Sequence, residues 1–245
     1  MPRRARMYIP GYAYHIVQRG NNRQACFFEV ENYRVFLKYM TEVLPRYGNS
    51  LHAYCLMTNH VHLLITPECV GSISNLMKVV CSRYAQYINK KYTRTGSLWE
   101  GRHKASVIDS ESYLLKCYRY IELNPVTADM VKRPEGYAWS SNHCNAWGGQ
   151  NRLISGHESY LALGQNQAQR CSNYRKLFNE ALSTGDYQAI GKALHFSMPL
   201  GSEEFMEKIE KRTGRKIGYA HRGRPYAKLV KNKSLRPLKC LRPLK

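Results

Sequence analysis

Two histidines separated by a single residue are the part of the sequence with the most direct chemical meaning. His60 and His62 lie in the apolar segment 59–65, whose β-branched residues favour a strand. Alternate residues of a strand project from the same face, so both imidazoles point to one side. Two imidazoles this close are either ligands of a divalent metal ion or a pair that repels itself when protonated. The spacing alone leaves both interpretations open.

A predicted helix farther along the chain adds an oxygen ligand and a nucleophile. Tyr120 and Asn124 are four residues apart, so they lie one above the other on a helix. The carboxamide oxygen of Asn124 would complete a three-ligand metal site, and the Tyr120 phenol would attack a metal-bound phosphodiester to leave a covalent phosphotyrosine. Core packing is the alternative role of Tyr120, and Tyr113 and Tyr118 are rival nucleophiles. We prefer Tyr120 because it alone has an asparagine four residues later.

The elements that must position these side chains alternate between strand and helix patterns. Residue periodicity predicts strands over 12–19, 50–57, 60–66, 95–99 and 105–108, and helices over 29–47 and 71–92. A third helix has Asp109 and Ser110 as its N-cap and ends at Asn124-Pro125. This succession predicts an α+β fold: a ferredoxin-like split βαβ sandwich with an antiparallel sheet and its helices on one face.

Composition divides the chain into three regions. We interpret residues 1–145 as the catalytic domain and residues 146–213 as a small helical C-terminal region. The short amphipathic helices of that region are predicted at 174–183, 187–194 and 202–213. Residues 214–245 form a basic tail that is poor in apolar residues and lacks periodicity, so we expect it to be disordered and flexible.

The positive charge of the chain is concentrated at its C-terminal end. The 245 residues include 38 Lys and Arg against 17 Asp and Glu, which gives a formal net charge of +21. From Lys211 onward there are thirteen basic residues and no acidic one, which leaves +8 for the rest. Such an excess predicts a polyanionic partner, with nucleic acid the leading candidate.

Several classes of protein are disfavoured by the sequence. No apolar run is long enough to cross a membrane, and the N-terminus lacks the apolar core of a secretory signal. We therefore expect a cytoplasmic protein with no membrane partner. The eight cysteines are scattered without a C-x-x-C pair, which is typical of buried thiols rather than disulfides or a zinc cluster.

The loop after the first predicted strand is a candidate for contact with DNA. Arg19, Asn21, Asn22 and Arg23 combine two guanidinium groups with side-chain amides. These groups suit hydrogen bonds to phosphates and base edges. A solvated turn is the alternative interpretation.

Two further groups of residues are candidate DNA contacts. Trp99 with Arg102 and Lys104 combines a ring for base stacking with positive charge, although Trp99 would equally suit the core. In the tail, Arg222 and Arg224 lie in R-G-R-P, which resembles the core of an AT-hook for the minor groove. Non-specific phosphate binding is the more conservative interpretation of that tail.

Several ordered motifs together resemble those of the HUH single-tyrosine transposases. More narrowly, they resemble the REP-associated tyrosine transposases (RAYTs), bacterial proteins related to insertion-sequence transposases. The resemblance spans about residues 7–145. The segments that carry it are YHIVQRGNNR at 14–23, NHVH at 59–62, GSLWEGR at 96–102, YIELNP at 120–125 and YAWSS at 137–141.

This resemblance implies an enzyme that nicks single-stranded DNA near a hairpin with Mg²⁺ or Mn²⁺. It implies a 5′-phosphotyrosine intermediate, a free 3′-OH and a REP-like palindrome as the partner, with the protein acting as a monomer or a homodimer. At the matching positions, His60 and His62 are the HUH histidines, Tyr120 is the nucleophile and Asn124 is the third metal ligand. Imidazole suits Mn²⁺ better than Mg²⁺.

Two other functions fit parts of the same pattern. A ferredoxin-like sheet with a basic tail would also serve as a non-catalytic module that binds RNA or DNA. The two histidines would also serve a metal-dependent hydrolase whose nucleophile is water. Neither function requires the pair of Tyr120 and Asn124, so that pair distinguishes the transposase from both alternatives.

Overall fold

Four strands form one antiparallel sheet in the computed structural model, which describes residues 8–214 and 216. The strands are β1 (Tyr14–Arg19), β2 (Asn49–Met57), β3 (His60–Pro67) and β4 (Lys104–Val107). Their order across the sheet is β2-β3-β1-β4, and every neighbouring pair is antiparallel. Strands β1 and β2 are therefore parallel with β3 between them, as in a split βαβ sandwich. The predicted ferredoxin-like α+β fold is confirmed.

One face of the sheet is covered by the two long helices α1 (Val30–Val43) and α2 (Ser72–Lys91). Both lie within the predicted ranges, because each has an apolar stripe of helical period. Phe36 and Met40 of α1 and Leu76 of α2 pack in one buried cluster with residues of the sheet. The hydrophobic core predicted from the apolar pattern lies between this face and the two helices.

The second face of the sheet is also covered by helices, so the prediction of helices on one face only is wrong. Leu64 of β3 packs with Ile121, Ile190 and Leu200, which all follow β4 in the chain, whereas Leu63 packs on the side of α1 and α2. A strand with apolar residues on both faces must be buried on both. The unbroken apolar run 63–65 carries this signal.

Seven helices of the described residues follow β4. They are α3 (Leu114–Glu122), α4 (Asn124–Thr127), α5 (Asn142–Trp147), α6 (Glu158–Leu161), α7 (Gln167–Lys176), α8 (Thr184–Phe196) and α9 (Glu203–Thr213). Within the described part of the chain, every helix is too short or too polar to traverse a bilayer. Of the predicted tail only residues 214 and 216 are described, so Arg222 and Arg224 lie outside the described residues.

One predicted strand and the predicted start of one helix are wrong. Segment 95–99 forms no strand, since Gly96 adopts a left-handed φ of 85° that breaks the extended backbone. Helix α3 begins at Leu114 because Asp109 accepts hydrogen bonds from Glu111 and Ser112 and stabilises the preceding turn instead.

The helix predicted at 174–183 lies earlier in the chain. Asn166 accepts a hydrogen bond from the Gln169 backbone N–H, which starts α7 at Gln167. Pro125 ends α3 as predicted, and it also lies in the first turn of α4, where proline is tolerated.

Candidate active site

Strand β3 brings the two histidines to the face of the sheet that α3 covers. The ring centroids of His60 and His62 are 4.8 Å apart. The Nδ1–H of His60 donates to Oδ1 of Asn59 at 2.6 Å, and Nδ1 of His62 lies 2.9 Å from Nε2 of His15. Each ring therefore has Nδ1 engaged, which leaves Nε2 for another ligand.

His15 and Asn59 were not among the residues that sequence reasoning singled out. His15 is fully buried on β1, and its ring stacks on His62 at a centroid distance of 5.1 Å. The register of β1 against β3 places Val17 opposite His62, so His15 lies on the same face one step along the strand. Alternation within β1 indicates that face, but only the pairing register reveals the neighbour.

The histidines of this site are neutral near neutral pH. Burial lowers the pKa of His60 to about 4, and the charge of Arg19 lowers it further. Burial lowers the pKa of His15 to about 3, and burial likewise holds the pKa of His62 well below its usual value. A neutral imidazole is the form that ligates a metal ion.

Tyr120 extends from the last turns of α3 toward these rings. Its side chain is 8% exposed, and its ring meets His15 edge-on at 5.6 Å and His62 at 6.0 Å. Tyr187 of α8 contacts it with ring centroids 4.7 Å apart and hydrogen-bonds to its side chain. Burial raises the pKa of Tyr120, Tyr187 raises it further, and the positive charge of Arg19 opposes both.

The two rival tyrosines point elsewhere. Tyr118 is fully buried, its ring stacks on Tyr160, and its hydroxyl accepts the backbone N–H of His157. Tyr113 lies at the start of α3 with the Lys116 ammonium 4.9 Å from its ring centroid. Of the three tyrosines, Tyr120 is the one whose ring meets the histidines of β1 and β3.

Asn124 lies one turn beyond Tyr120, and its amide nitrogen is used within the helix. Nδ2 donates to the Tyr120 carbonyl at 2.7 Å, which leaves Oδ1 as the atom for a ligand. Among residues 8–214 and 216, no group of three or more His, Cys, Asp or Glu side chains is arranged to hold a metal ion. A donor set of two imidazoles and one amide oxygen fits an ion that keeps open positions for phosphate oxygens rather than a closed structural site.

Two of the predicted DNA-contact cations border this face. Arg19 pairs with His60 across β1 and β3, and Lys104 of β4 pairs with Val17, which in turn pairs with His62. Paired residues of neighbouring antiparallel strands share a face, so both cations lie on the histidine side of the sheet. Sequence reasoning identified these residues but not their position beside the histidines.

The loop after β1 is an exposed 3-10 turn over Asn21–Arg23. Asn22 and Arg23 adopt left-handed φ values of 51° and 58°, which for arginine is a strained conformation. The Arg23 carbonyl accepts a hydrogen bond from Nδ2 of Asn59 at 3.0 Å. Asn59 thus joins the loop directly to His60.

The structure places Trp99 in the core. Its side chain is 8% exposed, its Nε1–H donates to the Cys81 carbonyl at 2.9 Å, and its ring lies 5.9 Å from Tyr84. This burial favours the core role over base stacking. Arg102 is exposed, and with Trp99 and Lys78 it lines a cavity of about 480 Å³.

Comparisons with known proteins find one matching family and similar solved structures. Residues 9–124, which include every residue of the candidate site except Tyr187, match the family described as Transposase IS200 like. No curated protein sequence matches the chain. A solved structure of a REP-associated tyrosine transposase bound to a REP hairpin has a TM-score of 0.53 at 18% identity, over 65% of this chain and 93% of that one.

A crystal structure of a transposase candidate from Deinococcus radiodurans R1 is similar at 21% identity with a TM-score of 0.34. It covers 49% of this chain and 95% of that one. The hairpin-bound structure shares the fold of this chain, and the family match covers β1 through the start of α4. Over residues 9–124, which make up just under half of its length, the chain is therefore similar to the IS200-like transposase family.

Proposed function

We propose that this protein is a transposase that acts as a metal-dependent single-stranded DNA endonuclease and strand transferase. It nicks DNA beside hairpin-forming palindromic repeats through a 5′-phosphotyrosine intermediate. The observation that carries the proposal is the Tyr120 ring 6.0 Å from His62, on a face that also bears His60 and Arg19. A nucleophile beside two neutral imidazoles and a cation is suited to attack on a phosphodiester.

The metal would be held by Nε2 of His60, Nε2 of His62 and Oδ1 of Asn124. When bound, Mg²⁺ or Mn²⁺ supplies positive charge to the non-bridging oxygens of the scissile phosphate. The two imidazole ligands favour Mn²⁺ of the two ions. Asn59 and His15 support the site by holding Nδ1 of each histidine.

The protein residues carry out the transfer itself. The oxygen of Tyr120 forms a bond to phosphorus while the bond from phosphorus to the 3′-oxygen breaks. The phenol gives its proton to solvent, and the released 3′-oxygen takes one proton from solvent to become the 3′-OH. Arg19 lowers the pKa of Tyr120 and so stabilises the phenolate, and Tyr187 orients the hydroxyl through its hydrogen bond. The products are a 5′-phosphotyrosine and a free 3′-OH.

Several residues support single-stranded DNA with a hairpin as the partner. Arg19, Lys104 and the exposed loop Asn21–Arg23 lie beside the histidines, and Arg102 is exposed nearby in sequence. We propose that they contact phosphates and base edges, and that the tail, with Arg222 and Arg224, adds non-specific phosphate contacts. The hairpin in the similar solved structure is consistent with this partner.

A hairpin oligonucleotide labelled at its 3′ end tests the proposal. With Mn²⁺ we expect a labelled product that migrates slowly on a denaturing gel, is sensitive to protease, and contains the Tyr120 peptide. EDTA should abolish it. Binding without cleavage would instead support a non-catalytic nucleic-acid module, and cleavage without an adduct would support a hydrolase whose nucleophile is water.

We expect His15 to raise the metal affinity of the site although it is not itself a ligand. The His15→Phe change keeps a buried ring but removes the hydrogen bond to His62. Loss of such a supporting contact lowers metal affinity about tenfold or more. We expect this loss in a Mn²⁺ titration followed by electron paramagnetic resonance.

The matched control is His52→Phe, which alters a buried histidine of β2 bonded to Ser155 and Thr66. It should leave the Mn²⁺ affinity unchanged. Equal Mn²⁺ affinity of the wild type and His15→Phe proteins would show that His15 does not position His62.

A further inference from the structure

A second pocket lies beside the loop that follows β1. Its volume is about 340 Å³, and it is lined by Gln24, Ala25, Phe28, Tyr92 and Arg94. The first three residues precede α1 and the last two follow α2. Two aromatic rings, one guanidinium group and one side-chain amide thus converge on one pocket outside the catalytic face.

Phe28 presents its ring to solvent. Its side chain is 47% exposed, although one edge packs on Tyr92 with ring centroids 4.9 Å apart. The guanidinium carbon of Arg94 lies 5.7 Å from the centroid of the Phe28 ring. An exposed aromatic face beside a cation is the combination on which single-stranded nucleic acids stack their bases.

Arg94 carries a hydrogen-bond donor that lacks an acceptor. Its Nη1 is buried and has no hydrogen-bond partner within the described residues. A buried, charged N–H group without a partner is unfavourable, so this atom favours a ligand that supplies an oxygen. Phosphate oxygens and the oxygens of base edges are acceptors of that kind.

The pocket is held in place before any ligand arrives. Asn32 is fully buried, and its Oδ1 accepts from the Phe28 backbone N–H at 2.8 Å and from the Tyr92 hydroxyl at 3.1 Å. Its Nδ2 donates to the Tyr87 hydroxyl at 3.2 Å. One side chain therefore fixes both aromatic walls, which reduces the ordering entropy of binding.

Hydrogen bonds also connect the pocket to the catalytic histidines. The backbone N–H groups of Cys26 and Phe27 donate to the Thr58 carbonyl, just ahead of the turn residue Asn59 that binds His60. The segment that carries Phe28 and the turn that carries His60 are thus parts of one hydrogen-bonded unit.

We propose that this pocket binds one unpaired nucleotide of the DNA substrate. Its base stacks on Phe28, and an oxygen of its phosphate or base edge accepts the hydrogen bond from Nη1 of Arg94. A base inside a duplex already has both faces stacked, so the pocket selects single-stranded DNA next to the hairpin stem. This inference rests on the proposed function, since it takes the same DNA as the substrate.

Equilibrium binding of the full chain to two oligonucleotides tests the pocket. One is a blunt hairpin, and the other is the same hairpin with unpaired flanks on both sides. Phe28→Ala should weaken binding to the flanked hairpin about tenfold and leave the blunt hairpin unchanged. Phe28→Trp should retain wild-type affinity because the stacking surface is kept.

Arg94→Gln supplies a second variant that does not alter the ring. It should weaken binding to the flanked hairpin and reduce the slope of log affinity against log salt by about one, as expected for one lost phosphate contact. The matched control is Trp147→Ala. This removes a ring that is 53% exposed and lies 4.6 Å from the Arg175 guanidinium, but outside the pocket, and it should leave both affinities unchanged.

Photo-crosslinking locates the base directly. With 5-iodouracil at successive flank positions, one position should crosslink to the peptide that contains Phe28 or Tyr92. The proposed nucleotide site would be wrong if both pocket variants kept their affinity. It would also be wrong if they lost affinity equally for the blunt and the flanked hairpin.

The two proposals fail separately. If the Tyr120 adduct forms while Phe28→Ala binds normally, only the pocket is wrong. If no adduct forms while Phe28→Ala still weakens binding to the flanked hairpin, the pocket is supported and the nicking reaction is wrong.

Discussion

The Tyr120→Phe variant is expected to bind hairpin DNA as tightly as the wild type and to form no covalent adduct. The change removes one oxygen atom and keeps the ring, which packs against His15 at 5.6 Å and His62 at 6.0 Å. Loss of a covalent nucleophile lowers the rate by about 10⁴-fold or more. The measurement is adduct formation on the 3′-labelled hairpin with Mn²⁺, compared with affinity measured by fluorescence anisotropy.

Tyr187→Phe provides a matched control for that variant. The ring centroids of Tyr187 and Tyr120 are 4.7 Å apart, and the two side chains are hydrogen-bonded. The same chemical change is thus made at the neighbouring position. We expect the adduct to form on Tyr120 at a reduced rate, because only an orienting hydrogen bond is lost. An adduct that persists in Tyr120→Phe and disappears in Tyr187→Phe would identify Tyr187 as the nucleophile.

The Glu122→Gln variant is expected to lower the free energy of unfolding by about 2–4 kcal/mol. Glu122 is fully buried and accepts four hydrogen bonds. The donors are Ser141, Asn142, Asn145 and Tyr174, at 2.6–2.9 Å. Burial raises the pKa of the Glu122 carboxyl, and the four donors oppose that shift.

Glu122→Gln destabilises the fold because it places hydrogen-bond donors opposite one another. Glutamine keeps the volume of the side chain but replaces one acceptor oxygen with an NH₂ group that faces other donors. The hydroxyls can rotate away, whereas the amide of Asn145 cannot become an acceptor without losing its hydrogen bond to the His52 carbonyl. Because these donors belong to α5, the residue before it and α7, the variant loosens those elements from the helix that bears Tyr120.

Urea unfolding followed by circular dichroism measures this effect. The control is Glu111→Gln, at an exposed position, which should change the free energy of unfolding by less than about 0.5 kcal/mol. Equal unfolding midpoints for the Glu122→Gln and wild-type proteins would contradict the role of this carboxylate as the point of attachment.

The elements that sequence reasoning predicted well are those set by local periodicity. Helices α1 and α2 and the hairpin of β2 and β3 each have an apolar pattern over many residues, and the sheet order follows from their succession. The errors occurred where a single residue changed the local backbone. Asp109 stabilises a turn instead of a helix, Gly96 interrupts an extended segment, and Asn166 starts α7 early.

Residue type does not predict exposure for aromatic side chains, and this explains the difference between Trp99 and Phe28. The sequence allowed both a core and a stacking role for Trp99, and the structure buries it against Cys81 and Tyr84. Phe28 was not among the DNA contacts predicted from the sequence, yet its ring is exposed beside the Arg94 guanidinium. Which ring reaches solvent depends on the packing of α2 against segments far away in sequence.

The sequence alone determined three features of this protein. They are its basic charge, the strand that aligns His60 with His62, and the helical spacing of Tyr120 and Asn124. Strand and helix periods are local properties of the backbone, so neighbours within one element can be read from spacing. Only the tertiary structure decided which of these residues meet. Tyr120 approaches His62, His15 stacks on His62, and Tyr187 contacts Tyr120. These contacts join residues 47, 58 and 67 positions apart in the chain, and they exist because the sheet buries both of its faces and brings α3 and α8 onto the second one.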